Sequence, residues 1–173
     1  MSEVIINVGI SGAGKSTLST RYIQEKSNYL RINRDDIRKT LVGSLKDYYQ
    51  RKDLHVIEKL INNLEQTLFF QIYNNAEFSI IIDNTHLKQS YINRWLTLFK
   101  EYEEVVGTPV NFKFKFFDIS LEEAKRRVHE REDLDTWGEV FDKEKFLLYI
   151  DKQYKDYQII KAWLTKNYKD RIL

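Results

Sequence analysis

The chain has 173 residues, of which 42% are hydrophobic and 31% are charged, and its formal net charge at pH 7 is +2. This size suits one domain with a sizeable core and is short for two, and so small a net charge does not indicate nucleic-acid binding without a local basic patch. The sequence contains no cysteine, no run of about 18 apolar residues and no basic leader, which excludes disulfides and thiolate metal sites and favours a cytoplasmic protein without membrane-spanning helices.

From the N-terminus onwards, apolar runs alternate with helical patterns, which predicts an α/β fold with a mostly parallel sheet and helices on both faces. Strands are predicted at 3–8, 29–33, 78–83 and 110–118. Helices are predicted at 15–25, from about 34, and at 52–75, 88–103, 120–131 and 142–168. In a small, about four-stranded sheet, we expect the first strand inside and the last strand, which alternates Phe with Lys, at one border.

A glycine-rich stretch, GISGAGKST (9–17), follows the first strand and opens the first helix. It satisfies the phosphate-loop pattern G-x-x-x-x-G-K-[ST], in which backbone N–H groups and a helix N-terminus receive phosphate. We expect Lys15 to neutralise the β- and γ-phosphates of ATP or GTP, and the Ser16 hydroxyl to bind Mg²⁺. The residues expected to bind the nucleotide here are Gly9, Ser11, Gly12, Ala13, Gly14, Lys15, Ser16 and Thr17.

After the second strand, INRDDIR (32–38) places two aspartates among arginines. Helix capping accounts for part of this pattern, because Asn33 can cap the helix and carboxylates in its first turn complement the dipole. Capping does not account for Arg38, which lies three residues beyond Asp35 on the same helical face. Because parallel strands end on the ligand side of a sheet, Asp35 could accept the proton of an attacking hydroxyl, and Arg38 could hold an anion on the acceptor.

The third strand ends in IIIDNTH (80–86). Asp83 is expected near Mg²⁺ or its water shell, with a strand-end cap as the equally weighted alternative. Asn84 and Thr85 follow as polar loop residues on the ligand side. His86 is expected to be a polar surface group.

Two arginines near the end of FDISLEEAKRRVHER (117–131) have helical spacing. Arg127 and Arg131 lie at positions i and i+4, so they could present two guanidiniums to one anion. The alternative is a solvated basic face that Glu123 and Glu130 offset.

In this order and spacing, the four motifs resemble the 5′-kinase domain of polynucleotide kinases, above all that of the bacteriophage polynucleotide kinase-phosphatase, over about residues 3–155. The resemblance implies a P-loop kinase with Asp35 as general base and Arg38 as the holder of the acceptor's 3′-phosphate. It also implies that Arg127 and Arg131 are lid arginines, with Arg131 reaching the transferring phosphate. The acceptor-binding residues expected on this basis are Arg34, Arg38, Asn84 and Thr85.

The activity implied is transfer of the γ-phosphoryl of ATP, with Mg²⁺, to the 5′-hydroxyl end of DNA or RNA, with Asp35, Lys15 and Arg131 as the catalytic residues. One alternative is a kinase for a nucleoside, nucleotide or sugar, which would have no evident need for NRDDxxR together with DNT. The other is a nucleotide-dependent regulatory or toxin-like module, which would bind ATP without acceptor-dependent release of ADP.

The remaining segments carry weaker expectations. DLDTW (133–137) only partly matches the D-x-D-x-[TV] signature of phosphatase domains, so we expect one kinase domain, 1–173, with a lid at about 120–141 and no phosphatase domain. Tyr48, Tyr49 and Trp137 could stack on bases, although packing is the commoner use of aromatic residues. The segment 156–173 is expected to be an amphipathic helix that packs on its own domain or on a second subunit of a homo-oligomer.

Overall fold

The computed structural model of the protein describes residues 2–131 and 142–173. Its strands are β1 (Val4–Val8), β2 (Tyr29–Ile32), β3 (Ser79–Ile82) and β4 (Phe112–Phe116). They form one parallel sheet in the order β2-β3-β1-β4. The predicted α/β class, the small parallel sheet, the inner position of the first strand and the border position of the Phe/Lys strand are confirmed.

Seven helices lie in the described part of the chain: α1 (Lys15–Glu25), α2 (Arg34–Val42), α3 (Leu45–Gln50), α4 (Leu54–Asn74), α5 (Gln89–Val106), α6 (Leu121–His129) and α7 (Lys143–Asn167). A 3₁₀ turn follows at Lys169–Arg171. Sequence reasoning missed α3. Its signals are local, because Gly43 ends α2 at a φ of 88° and the Ser44 hydroxyl caps α3 by accepting from the Asp47 N–H.

The sheet is covered on both faces, which explains its apolar strands. All five residues of β1 are buried. On the face towards α1, Ile5, Tyr29 and Ile81 pack with Tyr22. The opposite face carries the main core, to which α4, α5 and α7 contribute side chains such as Phe69.

The C-terminal segment packs on its own chain. Four apolar side chains of α7 are buried in the main core, and three of them lie in this segment: Tyr157, Ile160 and Leu164. Ile172 then bridges to Phe114, and the Leu173 N–H donates to the Phe114 carbonyl at 2.9 Å. The chain end therefore covers the outer edge of β4, where unpaired backbone groups would otherwise remain.

Within the described ranges, none of the helices combines the length and the apolar character that crossing a membrane requires. The phosphatase-like stretch DLDTW, Trp137 and the lid portion from 132 to 141 lie outside the described residues. The single kinase domain therefore stays a prediction.

Candidate nucleotide and acceptor site

The carboxyl ends of three strands meet at one edge of the sheet and carry the candidate site. β1 leads into Gly9, β2 into Asn33 and β3 into Asp83. The loops are hydrogen-bonded to one another, since the Asp83 N–H donates to the Ile32 carbonyl at 2.9 Å and the Gly9 N–H to the Thr85 carbonyl at 3.1 Å. Open α/β sheets bind their ligands at this edge, beyond the carboxyl ends of the strands.

Tight packing and left-handed backbone shape the glycine loop. Gly12 and Gly14 have φ angles of +81° and +87°, a region that residues with a Cβ rarely adopt. A Cβ on Gly12 would lie 2.7 Å from the Ala124 carbonyl oxygen of α6, and one on Gly9 would lie 2.8 Å from the Phe117 Cβ. Gly14 is the N-cap of α1 and has no side chain that could cap it, so the first-turn amides suit an anion.

Lys15 is held inside this loop with only 8% of its surface exposed. Its Nζ donates to the Ile10 carbonyl at 2.7 Å. Burial lowers the pKa of Lys15 to about 8, and nearby Arg131 acts in the same direction, whereas Asp83 and Asp35 oppose the shift. The ammonium is therefore the main form at neutral pH, and it lies within the electrostatic field of all three of these residues.

The lowered pKa of Lys15 predicts a pH-dependent affinity for ATP. Below pH 8 the Lys15 ammonium is already present. Above pH 8 the Lys15 amine must take up a proton when the phosphates of ATP bind. We expect the affinity to fall by up to about ten-fold per pH unit above this pKa. Calorimetry at pH 8.5 in two buffers of different ionisation enthalpy would measure the proton uptake. Lys15→Arg, which does not titrate, is the control, and equal heats for the wild type in both buffers would contradict the prediction.

At the end of β2, the expected cap and the expected charge pair are both present. The Asn33 side chain accepts from the Asp36 N–H at 3.1 Å, which opens α2. The Asp35 carboxylate is half exposed and accepts from Arg38 Nη1 at 2.6 Å. Asp35 is also close enough to Lys15 to act on its pKa. Local helix geometry thus places a carboxylate and a guanidinium side by side next to the phosphate loop.

Glu58 on α4 holds the Arg38 guanidinium from the other side. It accepts from Arg38 Nη2 at 2.8 Å and from Nε at 3.1 Å, and the Tyr48 hydroxyl also donates to it. Burial acts to raise the pKa of Glu58, but the hydrogen bonds from Tyr48 and Arg38 outweigh it and lower the pKa to about 2. Sequence reasoning missed Glu58, because the spacing of residues in α4 does not distinguish Glu58 from the other carboxylate of this helix.

Arg34 and Asn84 belong to a second polar network beside the pair. Arg34 donates to Glu58, Glu65 and Asn62, and its own N–H donates to the Asn84 side chain at 3.1 Å. Glu65 is only 1% exposed and also receives Arg94. Contact of Arg34 or Asn84 with an acceptor stays a prediction. Each side chain would have to bind the acceptor in addition to its present protein partners. The same holds for Thr85, whose backbone carbonyl receives Gly9.

The Asp83 carboxylate is 1% exposed and paired. It accepts from Asn7 Nδ2 at 3.2 Å and from Arg31 Nε at 2.8 Å. In residues 2–131 and 142–173, no three His, Cys, Asp or Glu side chains converge as a metal cluster would require. Mg²⁺ commonly keeps several waters and binds substrate phosphates, so Ser16 at the start of α1 fits an ion that arrives with the nucleotide. Ser16 and Asp83 stay predictions as metal-site residues.

His86 is not the surface group that the sequence suggested. It is 2% exposed, with a φ of 50°, and its Nδ1–H donates to the Asn7 carbonyl at 2.7 Å. This hydrogen bond joins the loop to β1, and the buried ring satisfies a carbonyl of that strand. Burial is the main cause that lowers the pKa of His86 to about 4.

Folding stability should depend on pH through His86. Its folded pKa of about 4 lies below the ordinary 6.5, so the unfolded chain binds more protons between these values and stability falls as the pH drops through this window. We expect a loss of about 2 kcal/mol between pH 6.5 and pH 5. Urea titrations would show this loss in the wild type and much less of it in His86→Asn, since Asn tolerates the left-handed backbone. His55→Asn, at an exposed histidine of α4, should keep the full loss.

The two arginines that were expected in the lid lie near the loop, but the prediction that they share a helix is wrong. α6 ends at His129, because the Glu130 N–H makes the last α-helical bond, to the Arg126 carbonyl, whereas the Arg131 N–H bonds to the Val128 carbonyl three residues back and so tightens the last turn. Arg131 therefore follows the helix. Arg127 lies at the loop, with Nη1 3.8 Å from where a Cβ on Gly14 would stand.

The alternative interpretation, a basic face whose charges are offset by glutamates, is also supported in part. The Arg127 Nε donates to Glu123 at 2.6 Å, and Arg126 donates to Glu123 and Glu130 at the same distance. These groups are about half exposed, so such pairs contribute little to stability. Arg127 can leave Glu123 for a more strongly charged partner at small cost.

The two tyrosines behave differently. Tyr48 is 4% exposed, donates to Glu58 and lies under the Arg38 guanidinium, so packing is its role. Tyr49 is 49% exposed and meets Tyr48 edge to face, with ring centroids 5.0 Å apart. Base stacking by Tyr49 stays a prediction.

A phosphate loop between a central parallel strand and its helix, with a carboxylate–arginine pair in the helix that follows β2, defines a nucleotide-binding P-loop kinase domain. The family model described as an AAA domain matches residues 4–149, and the chain belongs to this family. The likeness to the polynucleotide kinase family is thereby confirmed at the level of the P-loop kinase domain.

Many solved structures are similar to this chain, and two of them are described next. A chain of the "Structure of Pnkp1/Rnl/Hen1 complex" is 26% identical, with a TM-score of 0.59, over 82% of this chain and 43% of that one. A chain of the "Structure of the Pnkp1/Rnl/Hen1 RNA repair complex" is 24% identical, with a TM-score of 0.71, over 93% of this chain and 45% of that one. The protein thus spans less than half the length of either relative.

Proposed function

We propose that the protein is an ATP-dependent polynucleotide 5′-hydroxyl kinase that acts in nucleic-acid repair or end processing. The observation that carries this proposal is the Asp35–Arg38 pair, 2.6 Å apart, beside the phosphate loop. A carboxylate there can receive a proton from an alcohol, and an adjacent guanidinium can hold a phosphate next to that alcohol.

In the proposed reaction, the oxygen of the acceptor's 5′-hydroxyl attacks the γ-phosphorus while Asp35 accepts the proton of that hydroxyl. The bond between the γ-phosphorus and the β–γ bridging oxygen breaks, and ADP leaves. Lys15 and Arg131 stabilise the charge on the transferring group, and Arg127 assists at the loop. Ser16 would hold a Mg²⁺ ion that arrives with ATP, and the ion would supply charge neutralisation at the phosphate oxygens.

Arg38 gives the acceptor its register. The acceptor's 3′-phosphate is on the same nucleotide as the reacting 5′-hydroxyl. It binds the guanidinium of Arg38, which Glu58 already orients from the other side. Recognition of a chain end in this way needs few positive charges, which suits a protein with a net charge of only +2. Phosphoryl transfer mainly requires such positioning and charge neutralisation.

A nucleic-acid acceptor is favoured over a small molecule by two features. The pair occurs together with the DNT segment, and the similar chains belong to structures described as a Pnkp1/Rnl/Hen1 complex and as an RNA repair complex. A kinase for an uncharged small molecule has no evident use for a phosphate-holding arginine beside its base.

The test is phosphate transfer from γ-labelled ATP to four samples: 5′-hydroxyl DNA, 5′-hydroxyl RNA, a mononucleoside 3′-phosphate and no acceptor. We expect labelled product with at least one of the two polynucleotides and with the mononucleoside 3′-phosphate. The absence of labelled product from both polynucleotides would contradict the proposal. ADP release that is equal with and without acceptor would indicate a regulatory module.

A further inference from the structure

A buried glutamine of α7 contacts the phosphate loop directly. The Ser11 N–H donates to Gln153 Oε1 at 2.8 Å across a sequence separation of 142 residues. Gln153 is only 5% exposed. A polar side chain so far from water is retained at a cost unless its hydrogen bonds are made, so this contact needs an explanation.

Gln153 lies on a face of α7 that is otherwise apolar. The buried face of α7 runs through Ile150, Gln153, Tyr157, Ile160 and Leu164, at spacings of three and four residues. Every other member of this face belongs to the main apolar core. A leucine would fit the pattern of this face, but it could not accept a hydrogen bond from the loop.

The helix that carries Gln153 is itself fixed on both sides. Asp118, which follows β4, accepts from the Tyr157 hydroxyl at 2.8 Å and from Lys161 at 2.6 Å. Asp151 pairs with Lys125 of α6 at 2.7 Å. Gln153 therefore projects from a support that is tied to both the sheet and α6.

Ser11 is the residue at which the loop needs such a support. It directly precedes Gly12, whose left-handed backbone packs against the Ala124 carbonyl of α6. The loop is thus held at two consecutive residues, by a backbone contact from α6 and by a side-chain acceptor from α7. The Ser11 N–H is committed to α7, which sets the direction in which the following amides point.

We propose that Gln153 is a positioning residue for nucleotide binding: its carboxamide oxygen anchors the Ser11 amide and so preorganises the phosphate loop for the triphosphate. The effect on phosphoryl transfer rests on the proposed function, whereas the effect on nucleotide affinity does not. Preorganised amides bind an anion without first paying the entropy of ordering the loop.

The test compares Gln153→Leu with Gln158→Leu, which makes the same change at an exposed position of the same helix. We expect Gln153→Leu to weaken the binding of ATP and of ADP by about ten-fold, the usual size of one lost hydrogen bond, and Gln158→Leu to leave it unchanged. In the transfer assay, the KM for ATP should rise while the KM for the 5′-hydroxyl acceptor stays the same. Unchanged nucleotide affinity, or equal changes in both KM values, would overturn the inference.

Amide hydrogen exchange keeps the test decisive if Gln153→Leu is less stable overall. Peptides that cover residues 9–17 should exchange faster in this variant, while peptides from α5 report any global loss of stability. Faster exchange confined to the loop supports the anchor, and a parallel increase in both peptides overturns it. If no 5′-hydroxyl acceptor is phosphorylated but ATP affinity still depends on Gln153, the proposed function fails and the positioning role stands.

Discussion

Asp35→Asn is expected to lower the turnover of a 5′-hydroxyl oligonucleotide by about 10²- to 10⁴-fold, the range typical of a lost general base. The amide keeps the size of the side chain and its position in the first turn of α2, but it cannot take the proton of the attacking alcohol. ATP should still bind with nearly normal affinity, because the loop that receives the phosphates is untouched.

Asp36 provides a matched control for this experiment. It is the adjacent residue in the same helical turn, it is also about half exposed, and it accepts from Arg31 Nη1 at 2.8 Å. Asp36→Asn therefore makes the same chemical change without touching the proposed base, and it should keep most of the activity. Near-normal turnover in Asp35→Asn, or equal losses in both variants, would remove Asp35 from the mechanism.

Arg38→Ala is expected to raise the KM for a mononucleoside 3′-phosphate by about ten- to a hundred-fold, because charge-assisted hydrogen bonds to phosphate are lost. The affinity for ATP should change much less. The sharper readout is the ratio of kcat/KM for acceptors with and without the 3′-phosphate, which should approach one in the variant. Arg38→Lys keeps the charge but not the two-pronged geometry, so it should restore only part of the preference.

Lys39→Ala, at an exposed cation one residue further along α2, is the control for charge alone. It should leave the preference for the 3′-phosphate intact. Since Arg38 also neutralises Glu58, thermal unfolding of Arg38→Ala must be measured alongside its kinetics. A preference for the 3′-phosphate that survives in the folded variant would contradict the assignment.

Much of the fold was predictable because its signals are local. The glycine loop, its strand and its helix lie in one continuous stretch, and the first helix was predicted with the bounds that the structure has, Lys15–Glu25. The cap by Asn33 and the Asp35–Arg38 pair also depend only on helix geometry over a few residues. The small helix at Leu45–Gln50 was missed although its Gly43–Ser44 boundary is local as well.

The errors in the site came from contacts between distant segments. His86 was expected at the surface because a loop residue carries no periodic pattern, yet it is buried and hydrogen-bonded to Asn7 of β1. Arg131 was expected on a helix, but hydrogen bonds in the last turn end that helix two residues earlier. Glu58 could not be singled out, because many carboxylates lie on predicted helices and only the packing of α4 beside α2 selects one.

The sequence by itself determined that this protein has a phosphate-loop motif at 9–17 and places Asp35 and Arg38 on one face of a helix, because these features depend on a few consecutive residues. The tertiary structure alone decided which groups hold them in place: Glu58 behind Arg38, Gln153 behind Ser11, and Arg31 and Asn7 on Asp83. The physical reason is that the partner of a charge or an amide is set by the packing of separate elements, and the local pattern of a chain does not contain that packing.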